Sequence, residues 1–282
     1  MALDTASTPK NYAKDKLSLI LTPEHQLLLP AYETEVAGLY TVPKAGRIDP
    51  LTISATQQYP LGSLLIQGYR KWRYCRAGTS GLNIAAPVQQ ATFVNAEQDD
   101  DIVVAAAAAV GAKSVWLTST ANLDGSPNET ANNFAGGFLV VNDETGKGQC
   151  KMIKSNGAFG VTLDSEFELY DALTIALDTS SQVGVIKCPY NHVIATAAPV
   201  SGMLVGIPQL AVTASYYFWC QTFGPAACVA HAAIAVGTRV VVGTTAALAD
   251  PEASAVAELT LGDPMTPGIA NTETFIVFLR LD

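Results

Sequence analysis

At 282 residues, 49% of them apolar and only 15% charged, the chain is long enough to bury roughly 70–75% of its unfolded surface in one large domain or two smaller ones, without disulfide or metal staples. Its net charge of −9 is unevenly spread: residues 1–76 carry nine Lys/Arg against six Asp/Glu, whereas the remainder carries seven against nineteen. An acidic body of this kind argues against nucleic acid as the main partner, because neutralising phosphates takes a basic stripe across the binding face. A surface short of charge must be built from Thr, Ser, Asn, Gln and Ala, which desolvate easily and suit a protein that buries much of its exterior against neighbours.

Met1 to Lys16 is polar and lacks the apolar centre of a signal peptide, and no stretch approaches about 18 uninterrupted apolar residues. The expectation is a soluble chain, neither exported by a signal peptide nor crossing a membrane. Residues 1–60 alternate short apolar runs, Leu17 to Leu21 and Leu27 to Leu29, with Pro9, Pro23, Pro30, Pro43, Pro50 and Pro60. Proline at that density breaks helices and central strands, so 1–60 reads as an extended arm that lies on its own body or on another subunit.

From Leu61 the pattern changes to short runs rich in Val, Ile, Thr and aromatics, bounded by Gly, Pro, Asn and Asp. It predicts strands at Ser63–Gln67, Tyr69–Arg76, Ser114–Ser119, Phe134–Asn142, Gln149–Ser155, Phe159–Leu163, Leu173–Leu177, Gln182–Cys188, Met203–Ile207, Ala211–Phe223, Thr238–Gly243 and Thr274–Leu281. So many short strands imply a mainly β protein: a β-barrel or β-sandwich body over 61–282 behind the arm, with 195–202 as the place where two subdomains would meet. Asn142 to Gly148 has the Asn, Asp and Gly content of a hairpin tip. Asp101 to Val110 is the one helix candidate, three aspartates at its start and Gly111 at its end, although Ile102, Val103 and Val104 fit a strand equally.

Few residues suggest chemistry. Cys75, Cys150, Cys188, Cys220 and Cys228 are odd in number and form no C-x-x-C pair, so they read as small buried apolar residues. His25, His192 and His231 are far apart and match no H-E-x-x-H pattern, so neither a metal site nor histidine-based catalysis is expected. No phosphate-binding loop, dinucleotide fingerprint or nucleophile elbow is present, and no cofactor is expected. Asp99-Asp100-Asp101 reads as a solvated turn or helix cap, and Asn128-Glu129-Thr130 as a chance match to the glycosylation triplet. Glu166 and Glu168 would share one strand face, as glycosidase acids might, but exposed edges produce such pairs by chance.

Basic and aromatic residues concentrate in one block, Tyr69 to Arg76. As a strand it places Arg70, Trp72, Tyr74 and Arg76 on one face and Tyr69, Lys71, Arg73 and Cys75 on the other. Its cations are expected to pair with the acidic body or with an acidic neighbour, in preference to stacked bases. Arg70, Trp72, Arg73 and Arg76, with the aromatic residues Tyr216, Tyr217 and Trp219, are the interface candidates.

Several stretches together resemble the head decoration, or cement, proteins encoded beside the major capsid protein in tailed bacteriophages. They are Leu61-Gly62 with Gly68 to Gly78, Phe134 to Asp143, Gly146 to Gln149 with Ile153 to Asn156, Gly206-Ile207-Pro208, and Ser215 to Gly224. The likeness is a pattern of strands and glycines spread over about residues 60–282. It implies a virion structural protein, made in the host cytoplasm and added to the outside of the head, commonly as a trimer on the major capsid protein, with no catalytic role. Two other readings remain: a carbohydrate-binding head fibre or adhesin that stacks sugars on Tyr216 to Trp219, and a phage-associated hydrolase acting through Asp or Glu.

Overall fold

Side chains that alternate inward and outward along most of the chain produce β-structure throughout. The computed structural model describes residues 26–29, 48–92, 99–118, 128–129, 131–160, 164–252, 259–268 and 272–282, among which there are twenty strands and no helix. The first five are β1 (Gln26–Leu29), β2 (Ile53–Ser54), β3 (Leu64–Gln67), β4 (Arg70–Arg76) and β5 (Val88–Gln89). A middle group follows: β6 (Asp99–Val103), β7 (Ser114–Leu117), β8 (Asn128–Glu129), β9 (Phe138–Asp143), β10 (Cys150–Asn156), β11 (Phe159–Gly160), β12 (Ser165–Leu169) and β13 (Gln182–Ile186). The last are β14 (Ile194–Ala195), β15 (Leu204–Pro208), β16 (Tyr217–Val229), β17 (Val240–Val242), β18 (Ala249–Pro251), β19 (Thr260–Pro264) and β20 (Thr274–Arg280).

The first and last groups build a 12-stranded sheet running β1-β3-β4-β16-β20-β19-β17-β18, with β2 and β15 on β16 and with β5 between β14 and β15. Six strands of the middle group form a separate antiparallel sheet, β6-β13-β9-β10-β12-β7, while β8 and β11 pair with each other. This sheet curls until its outer strands meet. Ala105 N–H donates to the Trp116 carbonyl at 2.8 Å and Thr118 N–H to that of Val103 at 3.0 Å. Its interior is packed by Phe134, Leu139, Ile153, Phe167, Leu117 and Val183, with the Phe134 and Phe167 rings 5.8 Å apart.

Residues 99–186 form an excursion from the larger sheet. β5 and β14, which flank the excursion, pair with each other through Ile194↔Gln89 and Ala195↔Val88. The sheet therefore changes between β5 and β6 and again between β13 and β14; residues 195–202 lie on the returning segment.

The all-β expectation holds, and the strand set departs from it in specific places. Asp101 to Val110 is not a helix: Ile102 and Val104 alternate into the smaller core, Ala105 and Ala106 form a bend, and Ala108 enters the same core and bridges Leu177. Core contacts with period two outweigh the helix propensity of the run, high as it is for alanine. Leu173 to Leu177 is not a continuous strand: Leu173 and Leu177 bond to the Ala112 and Ala108 backbone, and between them the Gln149 side chain accepts from Thr174 N–H at 2.8 Å and donates to the Ile175 carbonyl at 3.0 Å. β16 begins at Tyr217 instead of Ala211 and continues to Val229, and β9 begins at Phe138 after a turn that holds Phe134. The expected ends at Ser119 and at 161–163 fall outside the described residues. The hairpin tip at 142–148 forms as expected, with Cys150 opposite Val140 and Gly146 at φ 88°. The described parts of the arm lie on the chain's own body: β1 pairs with β3, β2 pairs with β16, and Ile48 and Tyr59 pack beside Trp72 and Trp219.

Two substitutions probe the smaller core. Phe167→Ala should cost about 3–5 kcal/mol in chemical denaturation. Gly137→Ala should be comparably damaging, because a Cβ there would collide with the Ile186 carbonyl oxygen at the β9–β13 seam; a loss under about 0.5 kcal/mol, the scale of a neutral surface change, would contradict that packing.

Candidate functional site

β4 is buried on both faces, and this decides what its basic block can do. Trp72 is completely buried, and Tyr74 and Cys75 nearly so, while the cations lie along aromatic rings of the same chain. Arg70 sits 5.6 Å from the Trp72 ring, Lys71 5.0 Å from Phe223, Arg73 5.8 Å from Tyr190 and Arg76 5.7 Å from Tyr217. Each contact lets a partly desolvated cation keep an electrostatic partner.

Arg73 is held most firmly. Its Nε and Nη2 donate to the two Asp282 carboxylate oxygens at 2.8 Å each, its Nη1 donates to the Gly62 carbonyl at 3.0 Å, and Thr222 Oγ1 donates to Asp282 at 2.9 Å. Burial pushes the Asp282 carboxyl upward, but the Arg73 fork and the Thr222 hydroxyl outweigh it and hold the group below its ordinary range.

Of the other interface candidates, Trp219 is interior, 2% exposed, and Tyr216 and Tyr217 are half-buried. Trp72 and Trp219 thus present no surface to a partner, because sheet packing claims both faces of β4 and β16. The four consecutive aromatics do not form a row of platforms: Phe218 enters one core and Trp219 another. A different aromatic group does converge. Tyr74 lies 6.0 Å from Tyr217 with the rings nearly parallel, 5.0 Å from Trp219 and 5.2 Å from Tyr59, and the four line a cleft of about 150 Å³ edged by Asp49, Ser54 and Gln58. Burial pushes the Tyr74 phenol up to about 12. It therefore stays protonated at neutral pH, accepting from Gln58 N–H at 3.0 Å.

Glu166 and Glu168 do share a face of β12, but each is engaged: Glu166 accepts from Ser114 Oγ, and Glu168 takes Lys154 at 2.9 Å and Ser155 at 3.0 Å. Lys154 and Ser155 hold Glu168 below the usual carboxylate range, opposite to the raised value of a glycosidase proton donor. Asp101 accepts from Asn142 Nδ2 at 2.6 Å, and the side chains of Asp99 and Asp100, like Thr130 and His25, lie outside the described residues. Among the described residues no three His, Cys, Asp or Glu side chains converge as metal ligands. All five cysteines are free; four are buried as expected, but Cys150 is exposed, because it points outward from β10.

One arrangement escaped the sequence reading. His231 lies between Asp250 and Thr245, 3.0 Å from each, at the edge where Ala230 bridges Ala249. The only signal in the sequence is that the three fall within twenty residues, and the contact depends on the β17–β18 hairpin folding back onto the end of β16.

A double-mutant cycle on Arg73→Ala and Asp282→Ala should return a coupling of about 1–2 kcal/mol, since both side chains are largely buried and the contact is bidentate. Because the folded Asp282 carboxyl is depressed, the pair's contribution is complete above the ordinary aspartate range, about pH 4, and is lost as pH falls through the lower folded value. Urea titrations from pH 7 to pH 2 test this, and equal pH dependence in wild type and Asp282→Ala would refute it.

Comparison with known protein families, with curated proteins and with solved structures returns no match.

Proposed function

We propose that the chain is a virion structural protein of the decoration or cement class, binding the outer face of a tailed-phage head and stabilising it, with attachment requiring no chemistry. The observation that carries this reading is the outer face of the smaller sheet. Across β13, β9 and β10 the register aligns Ile186, Phe138 and Met152 in one outward row, and Gly184, Val140 and Cys150 in the next. Phe138 is 38% exposed and Val140 39%, and Trp116 on β7 is exposed as well. Apolar rows on a solvent face are the mark of a surface that meets another protein. The proposed partners are the major capsid protein and further copies of this chain, in a trimer. The low charge of the whole chain supports the same reading, as does the diffuse likeness to cement proteins.

A second reading, carbohydrate binding by a head fibre or adhesin, is favoured by the cleft between Tyr59, Tyr74, Tyr217 and Trp219. It combines aromatic faces with the carboxylate, hydroxyl and amide of Asp49, Ser54 and Gln58, groups suited to one sugar ring.

Particles carrying the protein should release DNA at a higher temperature than stripped particles, because a ligand that binds only the assembled shell stabilises it by mass action. Phe138→Asp and Val140→Asp should each weaken shell binding by at least about tenfold, roughly 1.4 kcal/mol. Moderate salt should leave attachment intact, since the rows carry no charge. Identical release curves with and without the protein, or glycan-array binding abolished by Tyr217→Ala, would move the assignment away from cement.

A further inference from the structure

His231 follows the end of β16, Asp250 lies on β18, and Thr245 occupies the turn between β17 and β18. The His231 Nδ1 is 3.0 and 3.2 Å from the two Asp250 carboxylate oxygens, and its Nε2 is 3.0 Å from Thr245 Oγ1. A carboxylate can only accept, so Nδ1 carries hydrogen; in the neutral imidazole Nε2 then holds the lone pair that receives the Thr245 hydroxyl proton. Asp250 is fixed in turn by Thr244, whose N–H and Oγ1 donate to Oδ2 at 2.9 and 3.1 Å. Its side chain is 11% exposed, whereas that of His231 is 31% exposed and Thr245 is open to solvent. Among the described residues Thr245 Oγ1 has no other partner, and the backbone N–H groups of Thr245 and Ala246 reach no acceptor.

We propose that these residues form an acyl-transfer site for short-chain esters, with Thr245 as nucleophile, His231 as base and Asp250 as the positioning residue. A hydroxyl bonded to an imidazole that is oriented by a nearly buried carboxylate is the arrangement that activates an otherwise weak nucleophile. Thr245 Oγ attacks the ester carbonyl carbon as its proton passes to His231 Nε2. The bond to the leaving oxygen then breaks, and the imidazolium returns the proton to it, releasing the alcohol and leaving an acyl-threonine. Water repeats the sequence: its oxygen bonds to the acyl carbon, its proton passes through Nε2 to Thr245, and a carboxylic acid departs. The free N–H groups of Thr245 and Ala246 are available to the oxyanion. An open nucleophile suits a small acyl group, such as acetyl, better than a long acyl chain. This activity uses none of the residues proposed for shell attachment.

The test is hydrolysis of p-nitrophenyl acetate by the full chain, with mass spectrometry of the Thr245 peptide during turnover. The wild type should exceed free imidazole at equal concentration and carry an acetyl group on Thr245. Thr245→Val, close in shape and at an exposed position, and His231→Gln should each cut the rate about 100-fold. Thr245→Ser should restore both turnover and the adduct, and Asp250→Asn should lower kcat at unchanged KM. Thermal unfolding of each variant separates loss of chemistry from loss of fold. A wild-type rate no higher than imidazole overturns the proposal. So does a Thr245→Val protein that keeps its rate, even where His231→Gln loses it, since the imidazole would then act alone.

Discussion

The larger sheet depends on the need of one long strand to satisfy its backbone on both edges. β16 spans thirteen residues, from Tyr217 to Val229. Along one edge it pairs with β4, and along the other it meets β2, β15 and β20 in turn. Such a strand cannot stay regular, and the register breaks between Gln221 and Phe223. Gln221, almost fully buried, supplies what the ladder lacks by donating to the Phe223 and Pro225 carbonyls at 3.1 and 2.7 Å. An apolar residue there would leave buried carbonyls without a donor. The aromatic cleft, the Arg73 fork and the His231 contact each include a residue on β16, on a strand paired with it, or just beyond its end.

Much of this was legible in the amino-acid order, and the unreadable parts have common causes. Strands with several β-branched or aromatic residues, such as β4, β9 and β20, announce themselves in the sequence. β12 alternates as cleanly, but the glutamates on its outer face disguise Ser165, Phe167 and Leu169 on its inner face. The two-residue strands β2, β5 and β14 are too short for any period and exist because a neighbouring edge needs partners. Leu173 to Leu177 has strand composition, yet the middle of its backbone is claimed by Gln149, a contact 25 residues away that composition does not encode. The candidate sites followed the same rule. The basic block was visible as a cluster, but whether its cations faced outward depended on aromatic rings supplied by distant segments, Tyr190, Tyr217 and Phe223.

Those rings also explain how a chain with so few charges accommodates the ones it has. Lys187 lies 5.6 Å from the Phe134 ring at the end of the smaller sheet, as the β4 cations lie on their own partners. Other cations, more exposed, are held by carboxylates: Lys147 by Asp143, Arg239 by Glu252 and Arg280 by Asp263. The apolar rows on β13, β9 and β10 are an uncharged window on a chain of net charge −9.

The pairing of β5 with β14 bears on how the chain reaches its native state. That two-residue ladder joins segments separated by about 100 residues, and closing so long a flexible loop carries an entropic cost that two residues of pairing cannot offset. Once 99–186 has condensed around Phe134 and Phe167, its ends are drawn together and the effective loop becomes short. The smaller sheet, with its β9–β10 hairpin and the neighbouring β10–β12 pairing, is then the earlier event, and the β5–β14 ladder closes after it. Pulse-labelled hydrogen exchange should therefore find amides of β9, β10 and β13 protected before those of β5 and β14.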